Sequence, residues 1–88
     1  MKLSFMKTFC DLVETGSFSR AAESNDVSQS AVSQQVARAE KKLSIKLVTR
    51  GKDAVSPTDA GKAHYHAFKD ILKIYEQLND KISSGPEC

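Results

Sequence analysis

The sequence predicts a mainly α fold: three short helices, a two-stranded hairpin and a long C-terminal helix. Three observations predict it. Apolar residues recur at steps of three and four over residues 3–13, 29–43 and 68–82, the period of an amphipathic helix. Between residues 45 and 56 that period gives way to short β-branched runs on either side of a glycine turn. Cap and turn residues stand at the joints between these segments.

The first helix carries Leu3, Met6, Phe9, Cys10 and Val13 on one face. Thr15-Gly16 ends it, because glycine accepts the left-handed backbone that closes a helix. Ser17 or Ser19 then caps a short second helix with Phe18, Ala21 and Ala22, whose small alanines let another helix come close. Ser24-Asn25-Asp26 is a turn, since Asn and Asp tolerate a left-handed backbone. Ser28 is a strong cap for a third helix running from about Gln29 to Leu43. Val32, Val36, Ala39 and Leu43 form its inward stripe, and Gln29, Ser30, Ser33, Gln34, Arg38, Lys41 and Lys42 occupy other faces.

Ile45–Thr49 predicts a strand, residues 50–53 a turn and Ala54–Ser56 a returning strand. Pro57 is expected to end the hairpin, because it cannot donate to the ladder. Thr58 caps the last helix, with Asp59 at its positive end. The apolar seam of that helix runs through Phe68, Ile71, Tyr75, Leu78 and Ile82, a coiled-coil spacing that reaches back to His64 and Gly61. Leu72 and Ile74 widen it. Ser83-Ser84-Gly85-Pro86 stops the helix, so the chain divides into a head (residues 1–58), a pairing helix (59–82) and a tail (83–88).

Eighty-eight residues make one small domain, which buries only a modest share of its surface and gains from a partner chain. The 40% hydrophobic and 27% charged residues are those of a soluble globular protein. Cys10 lies in an apolar periodic stretch and reads as a core residue, whereas Cys88 receives no role. Two unpaired thiols fit a reducing compartment, and no apolar run approaches a membrane span or a signal-peptide core. A cytoplasmic location with no membrane partner is therefore expected. His64 and His66 stand two apart on a helix and face different ways, a poor metal pair. His64, on the seam, is a candidate polar register device between subunits. No nucleophile elbow, phosphate loop or plausible carboxylate pair is present, so no catalysis, metal or cofactor is expected.

A short helix, a tight turn and a capped helix with a polar outer face describe a helix-turn-helix, here with a hairpin wing. A recognition helix lies in the major groove with its N-terminal side chains at base edges. Such side chains must be short or bidentate hydrogen-bonders, and Gln29, Ser30, Ser33 and Gln34 supply that chemistry. The net charge of +2 says little, but between Arg38 and Lys52 six basic residues face only Glu40, with Asp53 just beyond. Lysines and arginines near phosphates displace counterions and give salt-dependent affinity. Arg50 and Lys52 flank Gly51 at the hairpin tip, in reach of a minor groove or backbone.

The run Gly16-Ser17-Phe18-Ser19-Arg20-Ala21-Ala22, followed by Val27-Ser28-Gln29-Ser30-Ala31-Val32-Ser33-Gln34-Gln35-Val36, resembles the DNA-binding signature of LysR-type regulators. Lys42-Leu43, Lys46-Leu47, Thr49-Arg50 and Pro57-Thr58-Asp59-Ala60-Gly61 follow at matching intervals, so the resemblance spans about residues 3–66. It implies that Gln29, Ser30, Ser33 and Gln34 face bases, and that Ser17, Arg20, Ser28 and Thr58 touch the phosphate backbone. Arg38 is placed with them on its charge. Arg50 and Lys52 match the wing. Phe68, Ile71, Tyr75, Leu78 and Ile82 lie in the match to the linker helix that pairs two subunits, which implies a homodimer on an interrupted palindrome of double-stranded DNA.

Asn25 stands where the family usually has Leu, Ala39 replaces a core Leu, Ser44 a Gly and Val48 a Phe. These changes thin the core. The family's effector-binding domain lies outside these residues, so no small-molecule inducer site is expected within them. Two other readings stay open. One is a helix-turn-helix interaction module that dimerises with another regulator and modulates it. The other is a winged helix of a different family, MarR-like or molybdate-type, distinguished by how residues 59–82 pack.

Overall fold

Phe5, Thr8, Phe9, Cys10 and Leu12 are buried along one face of α1 (Leu3–Thr15), and the rest of the molecule is assembled on that face. The computed structural model describes residues 1–52 and 54–83, with side chains through residue 78. After α1 come α2 (Phe18–Ser24), α3 (Gln29–Leu43), β1 (Val48–Arg50), β2 (Val55–Pro57) and α4 (Asp59–Ser83).

The joints follow the local chemistry of the sequence. Gly16, at φ 67°, closes α1 with its N–H on the Leu12 carbonyl, and its own carbonyl accepts from Val55 N–H at 2.9 Å. One glycine therefore ends a helix and anchors the hairpin. Ser17 rather than Ser19 caps α2, its hydroxyl oxygen accepting from Arg20 N–H. Ser28 caps α3 in the same way from Ala31 N–H. Ser44, at φ 57°, ends α3 in the left-handed conformation where glycine costs least.

Phe9, Leu12, Val32, Val36 and Leu47 are fully buried, so α1, α3 and the segment entering β1 share one core. Leu43, on the predicted inward stripe of α3, packs at its margin. Asn25 holds the C-terminal end of α2 to α1 by polar means. Its side-chain NH2 donates to the Asp11 carboxylate at 2.9 Å and to the Ala21 carbonyl at 2.8 Å, while Lys7 donates to both Asp11 and Asn25.

The hairpin is displaced from its predicted place. Its first strand begins at Val48, not Ile45, because the preceding backbone groups already have other partners. Glu40 takes the Leu47 and Val48 N–H groups at 2.8 and 3.3 Å, and Thr58 donates from its hydroxyl to the Lys46 carbonyl and from its N–H to Leu47. Pro57 ends the hairpin from within the ladder, pairing with Val48 as the last residue of β2, so the returning strand is Val55–Pro57 and not Ala54–Ser56. The hydrogen bonds beside this pair come from the flanking residues, as Thr58 N–H to Leu47 shows. The missing donor of proline therefore costs the ladder nothing.

The predicted seam of α4 needs a larger correction. Phe68 is only 4% exposed and meets Phe5 and Phe9 edge-on at 6.1 and 5.7 Å, so it belongs to this chain's own core. His64 packs on the Phe68 ring at 5.8 Å, with Nδ1 2.8 Å from the Ala60 carbonyl. Gly61 lies against the Leu47 carbonyl, where any Cβ would collide with backbone. The first half of α4 is thus a structural strut. Beyond it Ile71, Ile74, Tyr75 and Leu78 are exposed, while Leu72 turns inward. The Ile82 side chain and the tail beyond Ser83, including Cys88, lie outside the described residues.

Candidate nucleic-acid interface

Two helix starts and one strand end converge on a single open surface. The N-terminal turn of α2, the N-terminal turn of α3 and the hairpin line a cleft that includes Gly16, Ser17, Ser19, Gln29, Arg50 and Lys52. The turn between the helices holds their relative angle: Val27 N–H returns to the Ala22 carbonyl at 3.1 Å, and Asp26 takes a left-handed φ of 53°.

On α3, Gln29, Ser30 and Gln34 are exposed and Ser33 is half-buried. These residues carry amide and hydroxyl groups of the kind that read base edges. Several already hold partners from neighbouring elements. Ser19 Oγ donates to Gln29 Oε1 at 3.0 Å, and Ser30 Oγ lies 3.3 Å from Ser28 Oγ. Arg50 donates to Ser33 Oγ at 3.2 Å while its guanidinium lies 4.7 Å from the centroid of the Phe18 ring. Sequence reasoning put Arg50 at the wing tip reaching outwards. The structure instead folds it back between α2 and α3, where cation–π attraction and one hydrogen bond hold it. Lys52 is exposed at the turn, and Asp53 lies outside the described residues.

The positions expected to touch phosphate differ in what they have free. Arg20, Arg38, Lys41, Lys42 and Lys46 are exposed. The cap hydroxyls of Ser17 and Ser28 accept from backbone, which leaves the Ser17 hydroxyl hydrogen available to an anion, and that of Ser28 too when Ser30 is the donor of their shared contact. Thr58 is different. Its one hydroxyl hydrogen goes to the Lys46 carbonyl at 2.6 Å and its oxygen accepts from Gly61 N–H, so it ties the hairpin to α4.

Ser19, the Phe18–Arg50 stack and the grip of Glu40 on the strand were not legible as functional features. Each joins residues from separate elements, and no spacing rule connects them. Elsewhere, burial pushes the Cys10 thiol up to about 11, which keeps it protonated and inert. Among the described residues no cluster of His, Cys, Asp and Glu is arranged to hold a metal, and no helix is long and apolar enough to cross a membrane.

Comparison with known proteins gives this surface a lineage. Residues 3–62 match the family described as bacterial regulatory helix-turn-helix protein, lysR family. The chain is 43% identical over 77 residues to the nitrogen assimilation regulatory protein nac of Escherichia coli, covering 88% of this chain and 25% of that protein. It is 39% identical over 87 residues to the HTH-type transcriptional regulator YtlI of Bacillus subtilis, covering 99% of this chain and 28% of that one. The chain thus spans about a quarter of the length of the curated relatives it matches. Its fold superposes on the BenM DNA-binding domain in complex with catB site 1 DNA, with a TM-score of 0.85, 31% identity, and 97% and 98% of the two chains covered. Full-length OxyR of Pseudomonas aeruginosa gives a TM-score of 0.88 at 27% identity, covering 98% of this chain and 29% of that one. The chain belongs to the LysR family of bacterial regulators and is a winged helix-turn-helix, DNA-binding domain of that type.

Proposed function

We propose that the chain binds double-stranded DNA sequence-specifically as a homodimer and so regulates transcription in the bacterial cytoplasm. The observation that carries the reading is the uncovered N-terminal flank of α3, with Gln29, Ser30, Ser33 and Gln34 beside the wing cations Arg50 and Lys52. In this reading the flank enters the major groove and the four side chains meet base edges. Ser17, Arg20, Ser28 and Arg38 then fix the register on phosphates, while the Thr58 hydroxyl, engaged by Lys46 and Gly61, holds the joint between the hairpin and α4 instead.

The dimer rests on the second half of α4. Ile71, Ile74, Tyr75 and Leu78 are 40%, 67%, 45% and 53% exposed, and their spacing aligns them in one apolar stripe. Pairing two such stripes around a two-fold axis presents two recognition helices, hence an interrupted palindrome. Residues 59–83 would then serve both as strut and as pairing helix. The DNA complex of the similar BenM domain supports the first half of this reading. The family match sets aside the MarR-like and molybdate-type readings.

The test is selection of bound sequences from a random duplex pool at two salt concentrations, with the native chain and Gln29→Ala. Enrichment of a two-fold palindrome that weakens in the variant supports the proposal. No enrichment by a folded dimer favours the interaction-module reading instead.

A further inference from the structure

We propose that Ser19 is a specificity-determining positioning residue, which fixes the end of the Gln29 carboxamide that faces DNA. The inference rests on the reading of Gln29 as a base-contacting residue. An amide oxygen only accepts, so at 3.0 Å the Ser19 hydroxyl donates to Gln29 Oε1. The terminal torsion of a free glutamine is broad, and such a side chain offers its oxygen or its NH2 to a base with little preference. Here the two partners come from different helices, each held by its own serine cap, Ser17 for α2 and Ser28 for α3. The carboxamide is therefore oriented before DNA arrives.

With Oε1 held from the α2 side, the Nε2 group is left to face outwards. That presents donors, which suit the acceptor edges of the major groove: guanine N7 and O6, adenine N7 or thymine O4. The donor edge of cytosine is disfavoured. Without Ser19 the amide turns freely and both classes of edge are read. Ser19 thus narrows a base preference although it reads no base itself, and because it is exposed its loss leaves the core intact.

The experiment compares selected binding sites for the native chain, Ser19→Ala, Ser19→Thr and Gln29→Ala, with thermal melting to verify folding. Ser19→Ala is expected to flatten the preference about fivefold, the worth of one neutral hydrogen bond, only at the base pair that Gln29→Ala also flattens. Ser19→Thr keeps a hydroxyl and keeps the preference, and the salt slope stays that of the native chain throughout. An unchanged Ser19→Ala profile beside an altered Gln29→Ala profile overturns the inference and leaves the Gln29 reading standing. A uniform loss of affinity with a shallower salt slope also overturns it, since Ser19 is then a phosphate contact. If Ser19→Thr behaves like Ser19→Ala, the hydroxyl is not the agent and the inference falls. If Gln29→Ala alters no base pair, the Gln29 reading falls and takes this inference with it.

Discussion

Arg50 joins three parts of the molecule with one side chain: it ends β1, stacks on Phe18 of α2 and donates to Ser33 of α3. Charge and shape are therefore separable in its variants. Arg50→Ala is expected to weaken binding to every duplex and lower the salt slope by about 1. Arg50→Lys keeps the slope but, lacking the planar fork, loosens the base preference associated with Ser33. Titrations against selected and random duplexes at several salt concentrations separate the two. Gln29→Ala should cost about 1–3 kcal/mol on the selected site and far less on random DNA. Ser44, at φ 57°, holds a conformation that glycine adopts freely. Ser44→Gly is accordingly expected to stabilise the fold by roughly 0.5–1 kcal/mol, the relief of strain less the extra freedom of the unfolded chain. Thermal unfolding checks it. At this scale the sequence was most legible where chemistry is local: Ser28 and Thr58 cap as their positions announce, and Gly16 turns left-handed as expected. The partnership of Ser19 with Gln29 crosses from one helix to another, and nothing in the string of residues announces it.

Among elements, the hairpin shows how a strand is trimmed by its neighbours. β-Branching alone extends β1 back to Ile45, but Glu40 and Thr58 claim the backbone groups of Lys46 and Leu47 first. The Glu40 side chain is 13% exposed, so its loss strands backbone donors away from water. Glu40→Ala should cost about 1–3 kcal/mol in chemical denaturation, with Glu40→Gln costing less because one acceptor survives. The α1–α4 joint adds a pH signature. The Tyr65 hydroxyl at 2.7 Å, and then Lys69 at 3.1 Å, hold the Glu14 carboxyl below its usual range. The same bonds raise Tyr65 and Lys69. A depressed carboxylate stabilises the fold above its unfolded pKa and loses that contribution as pH falls through the folded value. The raised pair contributes below its ordinary range and loses its share as pH climbs past about 10. Glu14→Gln should therefore lower the melting temperature at neutral pH, with the gap closing in acid; a constant gap would contradict it. Helix positions were legible because their period is strong, as the full Gln29–Leu43 span shows. Strand limits were not, because side chains distant in sequence decide them.

For the whole molecule, the pattern of α4 held two messages that periodicity could not separate. Phe68 and Ile71 belong to one apolar repeat, yet Phe68 closes this chain's own core and Ile71 faces outwards. Only the packed structure divides strut from pairing surface. Ile71→Glu with Leu78→Glu is expected to convert the proposed dimer to a folded monomer in analytical ultracentrifugation; a persisting dimer would place the interface elsewhere. The close approach at Gly61 carries this further. Clamped at Leu47, Phe68 and Glu14, α4 runs free only beyond Lys69, an overhang of about 21 Å like a cantilever. A tilt of about 10° at its root moves the free end by roughly 4 Å, on the order of one base-pair step. In the proposed dimer the distance between half-sites would then be inherited from that root, while the letters of each half-site would belong to α3. The pitch at which two such heads would grip DNA and the words they would read are then separately adjustable.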